Sequence, residues 1–230
     1  MRGVILAAGR GERLKDITSG IPKPMITFRG KPLLQHNIEL CREHGVTELF
    51  INTHHLPKVI RDYFGDGSAF GVHITYSFER DLLGTSGALN NFKRELSPDS
   101  FFVLYGDNYS TFDLAALKQE SIKLNAIAVI GFHWREDTSA SGVADFDANG
   151  RVTQFIEKPK SGESASQWVN AGLYFLQPEI FRHIPEGVSD FAKDVFPRLI
   201  VAGDAIYGVC RKSEVLAFDT PEMYNRSVKH

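Results

Sequence analysis

The sequence predicts a single α/β domain in which a mixed β-sheet is flanked by helices. Through about the first 110 residues, short apolar runs typical of buried strands alternate with apolar residues at helical spacing, the pattern of β-α-β units. Beyond that point several strand-like runs follow one another, and Asp147-Ala148-Asn149-Gly150 between two of them is typical of a hairpin turn. At 230 residues the chain is long enough to bury a full core without disulfides or metals.

Strand and helix alternate in the first half of the chain, about residues 1–110. Residues 32–44 place their apolar side chains at helical spacing, and Gly45 ends that helix. We expect ligands to bind at the carboxyl ends of the strands, as is usual in sheets of this kind. The other predicted elements of this half are helices at 58–64 and from residue 87 on, and strands at 4–7, 48–52, 73–78 and 101–105.

Strands dominate the second half, about residues 111–230, and a helix follows them at residues 190–201. Residues 160–167 form the one flexible-looking stretch, which is too short for a linker between domains. We therefore expect residues 1–230 to form one domain whose two halves share a sheet. The strand-like runs of the second half cover residues 126–132, 143–146, 152–157 and 169–175.

The composition argues against several kinds of partner and location. A net charge of −2 argues against nucleic acid, because non-specific binding to nucleic acid requires clustered cations. We find neither a secretion leader nor an apolar run of about 18 residues, so we expect no membrane segment. Cys41 and Cys210 lie far apart without metal-binding spacing, and we expect buried free thiols in a reducing, cytoplasmic compartment. Monomer and homo-oligomer both remain open.

An apolar strand, a glycine-rich turn and two cations stand close together in residues 3–25. A turn such as that of Gly9 and Gly11 exposes backbone N–H groups without side chains in the way, as phosphate-binding loops do. Arg13 and Lys23 add fixed positive charge for the same anion. The turn lacks the third glycine of the dinucleotide fingerprint and the Gly-Lys-Ser/Thr ending of a P-loop. A structural turn with surface cations is the alternative.

This stretch resembles the signature of the sugar-1-phosphate nucleotidyltransferases, L-A-x-G-x-G-T/E-R-L followed by P-K-P. The matching residues are Leu6, Ala7, Gly9, Gly11, Glu12, Arg13, Leu14, Pro22, Lys23 and Pro24. The resemblance implies a Rossmann-like sheet of the GT-A-like nucleotidyltransferase fold, with a nucleotide-binding half followed by a sugar-binding half. It implies that Arg13 and Lys23 are catalytic and neutralise the phosphates of a nucleoside triphosphate. The implied nucleotide-binding loop consists of Leu6, Ala7, Ala8, Gly9, Gly11 and Glu12.

Asp107 is the candidate metal ligand of the catalytic site. It follows the buried strand at residues 101–105, where a carboxylate is well placed to hold Mg²⁺ between the sheet and the phosphates of a ligand. In the family that the sequence resembles, the aspartate at this position binds the metal. The alternative is that Asp107 and Asn108 belong to an ordinary turn after a strand.

A second loop, Leu83-Gly84-Thr85-Ser86-Gly87-Ala88, resembles the L-G-T-x-G-A loop of the mannose and heptose branches of the family. The resemblance implies that Gly84 and Thr85 lie against the nucleobase and ribose. A helix N-terminus capped by Thr85 or Ser86 would explain the same residues without a nucleotide. Both interpretations can hold together.

Residues of the second half are candidates for binding the sugar phosphate. Residues 155–159 and 169–174 resemble the family segments F-x-E-K-P and N-A-G-x-Y. The resemblance implies that Glu157 and Asn170 bind sugar hydroxyls and that Lys158 meets the sugar phosphate. Gly142, which precedes a strand, resembles a family glycine that lets the sugar ring approach closely. A solvated strand edge is the alternative for the adjacent glutamate and lysine.

Near the end of the chain, residues 218–224 resemble a family segment that supplies a second metal ligand. Many relatives have an aspartate three residues before the threonine of this segment, where this chain has Ala217 and carries its aspartate at Asp219. Either Asp219 is the second ligand, or Asp107 and the phosphates hold the metal alone. A helix N-cap at Asp219 is the structural alternative.

The resemblance implies transfer of a nucleoside monophosphate from an NTP to a sugar 1-phosphate, with release of pyrophosphate and formation of an NDP-sugar. A sugar 1-phosphate is already a dianionic nucleophile near neutral pH, so this reaction needs charge neutralisation and in-line positioning rather than a dedicated base. The loop around Gly84 and the segment at residues 190–197 favour GTP with mannose or manno-heptose 1-phosphate. Ala8, by contrast, is more typical of uridylyl-transferring relatives.

Other functions remain open on the sequence. One is uridylyl or cytidylyl transfer to another sugar 1-phosphate. Another is a non-catalytic regulatory homologue that senses nucleotide sugars, although Arg13, Lys23 and Asp107 are retained. A GT-A glycosyltransferase would share the sheet, but it usually carries a D-x-D metal motif, and Asp107-Asn108-Tyr109 lacks that motif.

Overall fold

The computed structural model describes residues 1–9, 11, 14, 20–160, 162–218 and 220–228. Three predicted site residues, Glu12, Arg13 and Asp219, lie outside the described residues. The strands are β1 (Arg2–Leu6), β2 (Thr27–Phe28), β3 (Lys31–Pro32), β4 (Glu48–Thr53), β5 (His73–Phe78), β6 (Phe101–Tyr105), β7 (Asn108–Ser110), β8 (Ala128–Trp134), β9 (Gly142–Phe146), β10 (Val152–Glu157), β11 (Trp168–Leu176), β12 (Ile206–Arg211) and β13 (Val215–Ala217).

Helices and short helical turns connect these strands. The α-helices are α1 (Leu33–Glu43), α2 (Pro57–Phe64), α3 (Gly84–Gly87), α4 (Lys93–Leu96), α5 (Leu114–Leu124), α6 (Phe196–Ala202) and α7 (Pro221–Val228). 3-10 turns occur at Lys23–Met25, Ser68–Phe70, Ala88–Phe92 and Pro178–Arg182.

The predicted strands and the helix at residues 32–44 are confirmed with nearly their predicted bounds. The helix predicted from residue 87 begins earlier, at Gly84. The helix predicted at residues 190–201 starts as a π-helical turn, Phe191–Val195, before α6. Helix α5 and the strands β2, β3, β7, β12 and β13 were not predicted, although Asp113 at the N-cap and Asn125 at the C-cap of α5 were available signals in the sequence. Helix α7 was predicted only as the structural alternative at Asp219.

The chain divides into two compact units. The first unit comprises Met1–Leu82, Leu104–Thr111 and Glu214–His230, and the second comprises Leu83–Val103 and Phe112–Ser213. The C-terminal segment from Glu214 therefore belongs to the unit that contains β1, whereas the sequence pattern grouped it with residues 111–230.

In the first unit, β4 lies parallel to β1 on one side and to β5 on the other. Leu6 stands opposite Asn52, and Asn52 stands opposite Ser77. Helix α1 precedes β4 and buries Leu34 and Ile38 completely. These parallel strands bring their carboxyl ends to one edge, as the β-α alternation of the sequence predicts.

A small antiparallel ribbon of β7 and β13 completes the first unit. It pairs Ala217 with Asn108, so the C-terminal segment returns to the residue that follows Asp107. The Arg29 guanidinium donates to both carboxylate oxygens of Glu214, at 3.1 and 3.3 Å, and to the hydroxyl of Tyr109 at 2.8 Å. Such a two-donor fork fixes the direction of the ribbon as well as its attachment.

The second unit contains the antiparallel part of the sheet. β9 and β10 form a hairpin, and the N–H groups of Asn149 and Arg151 donate to the carboxylate of Asp147 at 2.8 and 2.9 Å, which confirms the predicted turn. β11 lies antiparallel to β8, and β12 lies parallel to β8. The fold is thus of the α/β class with a central mixed sheet, as predicted.

Two expectations from composition concern cysteines and membranes. Cys41 is fully buried, whereas Cys210 is only partly buried, and both are free thiols. Burial raises the pKa of Cys210 to about 11. Within the described residues, no helix has the length and apolar character needed to cross a bilayer.

We expect His133 to make stability depend on pH in the acid range. His133 lies in β8 between β11 and β12, and burial, with a smaller effect of the Arg135 charge, lowers its pKa to about 4. The unfolded chain keeps the ordinary histidine pKa of about 6.5. It therefore binds more protons between these values, and the stabilisation, complete above about pH 6.5, is lost as the pH falls to about 4.

The neutral variant His133→Gln removes this contribution. Its free energy of unfolding, measured by urea titration at about pH 4.5 and about pH 7, should differ less between the two pH values than that of the natural chain. An equal difference in the two proteins would show that His133 is not the residue responsible.

Candidate functional site

The glycine-rich loop begins where β1 ends. Ala7 and Ala8 are buried, at 3% and 6% exposure, and Gly9 is exposed. Gly11 has a φ of +62°, which disfavours any residue with a side chain. A Cβ at Gly11 would also lie 3.1 Å from the Cβ of Lys23. The backbone at Gly11 therefore lies directly against the side chain of the predicted catalytic lysine.

Lys23 and Asp107 form an ion pair beside this loop. Pro22 and Pro24 flank Lys23 in a 3-10 turn, and the lysine is only 5% exposed. Its Nζ lies 2.5 Å from Oδ2 of Asp107, whose side chain is 27% exposed. A buried ammonium without a partner would be strongly unfavourable, so the Asp107 carboxylate compensates the burial of Lys23.

Gly106 determines how closely Asp107 approaches the loop. The N–H of Gly106 donates to the carbonyl of Leu6 at 2.9 Å. A Cβ at Gly106 would lie 2.9 Å from that same carbonyl oxygen, closer than real Cβ atoms approach. Because Gly106 has no side chain, the end of β6 lies against the end of β1. Asp107 therefore lies close to the start of the glycine-rich loop.

The described donor set fits a divalent cation that binds together with phosphates. Asp107 offers a hard carboxylate oxygen, and Lys23 already occupies one side of it. Among the described residues, no group of three or more His, Cys, Asp or Glu side chains is arranged to hold a metal. A Mg²⁺-type ion usually takes one or two carboxylates and completes its shell with phosphate and water, which matches a single carboxylate at a phosphate loop.

In the second unit, the loop of Gly84 and Thr85 is tied to residues 189–191. Gly84 has a φ of +77°, and a Cβ there would collide with the carbonyl oxygen of Ser189. The Thr85 hydroxyl donates to Asp190 at 3.1 Å and accepts from the N–H of Phe191 at 3.0 Å. Helix α3 has no side-chain cap, so the N-cap interpretation of Thr85 and Ser86 is wrong.

Three of the predicted sugar-phosphate residues lie on the second unit's adjacent strands. Gly142 begins β9 opposite Glu157 at the end of β10, and a Cβ at Gly142 would lie 2.8 Å from Oε2 of Glu157. Asn170 lies in the neighbouring β11, where its Oδ1 accepts from Gly172 N–H and its Nδ2 donates to the Tyr174 hydroxyl, both at 2.9 Å. Fixed amide and carboxylate groups thus stand beside a glycine whose missing side chain lets the Glu157 carboxylate and the Phe155 ring lie close to the backbone.

Lys158 directly follows Glu157 in the sequence. It is exposed, and its φ of +54° is uncommon for a residue with a side chain. Its N–H donates to the carbonyl of Ser141 at 3.1 Å, which holds this conformation. Glu157, by contrast, is partly buried.

The structure groups the predicted site residues into two sets. Leu6, Ala7, Ala8, Gly9, Gly11, Lys23 and Asp107 lie in the first unit, and Gly84, Thr85, Gly142, Glu157, Lys158 and Asn170 lie in the second. Three further polar residues, Asn52, Glu79 and Asp190, were not predicted from the sequence. Asn52 and Glu79 stand at or just after the ends of apolar strands and are buried, and this position in the sequence was the available signal.

Comparisons with known proteins identify relatives of the chain. A family model described as nucleotidyl transferase matches residues 2–215. A UTP–glucose-1-phosphate uridylyltransferase of Synechocystis is 38% identical over 91% of this chain and 58% of its own length. A mannose-1-phosphate guanylyltransferase of Mycobacterium tuberculosis is 33% identical over 97% of this chain and 62% of its own. The chain thus spans about three fifths of the length of these curated relatives.

Solved structures of other proteins also resemble this chain. Two crystal structures of HddC from Yersinia pseudotuberculosis, one complexed with GMP-PN, match at 26% identity and cover 99% of this chain and 98% of theirs, with TM-scores of 0.84 and 0.83. A putative glucose-1-phosphate thymidylyltransferase from Bacillus anthracis shares the fold, with a TM-score of 0.87 at 24% identity over 100% of this chain and 94% of its own. The predicted resemblance is confirmed, and the chain belongs to the nucleotidyl transferase family.

Proposed function

We propose that the protein transfers a nucleoside monophosphate from an NTP to a sugar 1-phosphate and releases pyrophosphate. The observation that carries this proposal is the Lys23–Asp107 ion pair beside the start of a glycine-rich loop. One group provides a cation for phosphate oxygens, and the other provides a carboxylate for a divalent cation. The family membership and the names of the relatives support the same reaction class.

In this reaction the site residues would neutralise phosphate charge and position the two substrates. The sugar 1-phosphate is the nucleophile and needs no general base. Lys23 and Arg13 would neutralise charge that builds on the α-phosphate and the leaving pyrophosphate, and loop N–H groups would orient the triphosphate. Glu157, Asn170 and Lys158 would hold the sugar phosphate for in-line attack.

We propose Mg²⁺ as the metal, held by Asp107 and the phosphates, with Asp219 as a second ligand. When bound, the ion would supply Lewis-acid stabilisation of phosphate charge. Asp107 would keep its contact with Lys23 through one oxygen. Its remaining lone pairs can then serve the metal, because a carboxylate has about four acceptor positions.

For the substrates, we propose GTP with mannose or manno-heptose 1-phosphate. Mannose-1-phosphate guanylyltransferases among the relatives and the GMP-PN complex of HddC support guanine. UTP is the second candidate, because the Synechocystis uridylyltransferase is 38% identical and Ala8 is typical of uridylyl-transferring relatives. A regulatory homologue would bind these ligands without turnover.

A substrate screen tests the proposed function. The four NTPs are combined with mannose, manno-heptose, glucose and N-acetylmuramic acid 1-phosphates in the presence of Mg²⁺, and pyrophosphate release is measured. We expect the highest kcat/KM with GTP and a mannose or manno-heptose 1-phosphate. Equilibrium dialysis with the same nucleotides runs in parallel, and binding without pyrophosphate release in any combination would contradict an enzymatic role.

The variant Asp107→Asn tests the role of the carboxylate. The asparagine oxygen can still accept from Lys23, although it no longer compensates the ammonium charge, and a melting curve checks that the variant is folded at the assay temperature. Loss of the negative charge should lower kcat by at least about 10²-fold. Asp113→Asn makes the same chemical change at the N-cap of α5 and should leave kcat unchanged. Near-normal turnover of Asp107→Asn would remove Asp107 from the mechanism.

The variant Asp219→Ala tests the second metal ligand. We expect a lower kcat and a higher Mg²⁺ concentration for half-maximal activity, since the metal loses one hard oxygen ligand. A Mg²⁺ titration and a melting curve are recorded for the same variant. An unchanged Mg²⁺ dependence together with a stability loss of about 1 kcal/mol would assign Asp219 to helix capping instead.

A further inference from the structure

Two polar side chains are buried where strands end in the first unit. Asn52 lies near the end of β4 and is 2% exposed, and Glu79 directly follows β5 and is 3% exposed. Glutamate is rarely buried to this extent unless it is paired, because removing a carboxylate from water is costly. Neither residue has a part in the chemistry proposed above.

Asn52 connects Glu79 to the phosphate loop. Its Oδ1 accepts from the backbone N–H of Ala7 at 2.8 Å, and its Nδ2 donates to Oε1 of Glu79 at 2.7 Å. Glu79 is itself fixed through its backbone, since its N–H donates to the carbonyl of Thr53 at 2.8 Å and its carbonyl is 2.9 Å from Nδ1 of His54. The path from β5 to the loop is a chain of short, buried hydrogen bonds.

The hydrogen bond to Ala7 lies where the loop leaves the sheet. Leu6 is the last residue of β1, and it stands opposite Asn52 in the parallel pairing. The carbonyl of Leu6 accepts from Gly106, and the next N–H along the chain, that of Ala7, donates to the Asn52 side chain. Both polar groups of the Leu6–Ala7 peptide are therefore fixed, and with them the direction in which the loop starts.

Glu79 determines which way the Asn52 amide points. An ionised carboxylate only accepts hydrogen bonds, so it requires the NH₂ end of the amide on its side. The carbonyl end must then face Ala7, which is the end that can accept from an N–H. A reversed amide would set donor against donor at Ala7 and acceptor against acceptor at Glu79.

We propose that Asn52, oriented by Glu79, is a positioning residue for the nucleoside triphosphate. This role rests on the proposed function and concerns triphosphate binding rather than the sugar phosphate. The pair fixes the peptide from which the loop N–H groups extend, and so fixes where those groups point. Loss of the pair lets the start of the loop reorient, which weakens triphosphate binding and leaves the sugar-phosphate residues of the second unit in place.

The variant Asn52→Leu removes both hydrogen bonds at similar volume. We expect its Kd for a non-hydrolysable triphosphate, measured by calorimetry, and its KM for the NTP to rise about tenfold to hundredfold. Its KM for the sugar 1-phosphate should change less than about twofold. Asn90→Leu is the matched control, because Asn90 donates to the carbonyl of Pro185 in the second unit. It should leave both constants unchanged.

A second pair of variants keeps the test independent of whether Asn52→Leu folds. Glu79→Met removes the acceptor for Asn52 and should raise the triphosphate Kd in the same way. Glu79→Gln can still present an oxygen to Nδ2 of Asn52 and should restore binding to near the natural value. Melting curves of all variants separate a loss of folded protein, which would lower kcat alone, from a change in affinity.

Three outcomes would overturn the inference. They are an unchanged triphosphate Kd in folded Asn52→Leu or Glu79→Met, an equal rise in the constants for both substrates, and a Glu79→Gln variant as weak as Glu79→Met. Failure of the proposed function looks different. In that case the natural chain binds triphosphate but releases no pyrophosphate, and the calorimetric comparison of the variants still decides the role of Asn52.

Discussion

The 2.5 Å contact between the Lys23 ammonium and the Asp107 carboxylate is the interaction on which the candidate site depends. It joins segments 84 residues apart in the sequence and is partly buried, with Lys23 almost fully removed from water. Each charge makes the burial of the other tolerable, so the pair holds a cation and an anion together at one place. A phosphate loop benefits from both, since phosphate oxygens need a cation and a divalent metal needs a carboxylate. The pair therefore accounts for the position of Asp107 as well as for the burial of Lys23.

Glycines make this arrangement possible by allowing backbone segments to approach each other. Gly11 lets its own backbone lie against the side chain of Lys23, and Gly106 lets the end of β6 lie against Leu6. In the second unit, Gly142 lets the side chains of Glu157 and Phe155 lie close to the backbone. At each of these places a Cβ would lie within about 3 Å of a neighbouring atom, so the sequence constraint is steric.

Buried and partly buried polar residues then fix the directions of the site loops. The amide of Asn52 binds the first peptide of the phosphate loop, and the Thr85 hydroxyl bonds to Asp190 and Phe191. Hydrogen bonds in a dry environment are directional and costly to leave unmade, which makes such groups effective at holding one conformation. The phosphate loop is thus held by a side chain from a distant segment, and the loop of Gly84 and Thr85 is held by its own threonine hydroxyl bonded to a distant segment.

The sequence by itself determined the α/β class, most strands, the hairpin turn at Asp147 and the glycine-rich loop with Lys23. Each of these depends on local spacing: apolar period, turn residues, and glycine at positions where a side chain would collide. The N-cap interpretation of Thr85 also used only local information, and it was wrong because the Thr85 hydroxyl bonds to a segment more than one hundred residues away. The same local information left β12 and β13 unrecognised, since strands with mixed burial owe much of their stability to the strands that they pair with.

Only the tertiary structure decided which polar groups face each other. The pairing of Lys23 with Asp107 and the path from Glu79 through Asn52 to Ala7 join residues far apart in the sequence. No local pattern encodes such partners, because a buried polar side chain is satisfied by whatever the fold brings within about 3 Å of it. Local spacing thus specified the strands and the loop, and packing of distant segments specified the charge and hydrogen-bond geometry that gives the loop its chemistry.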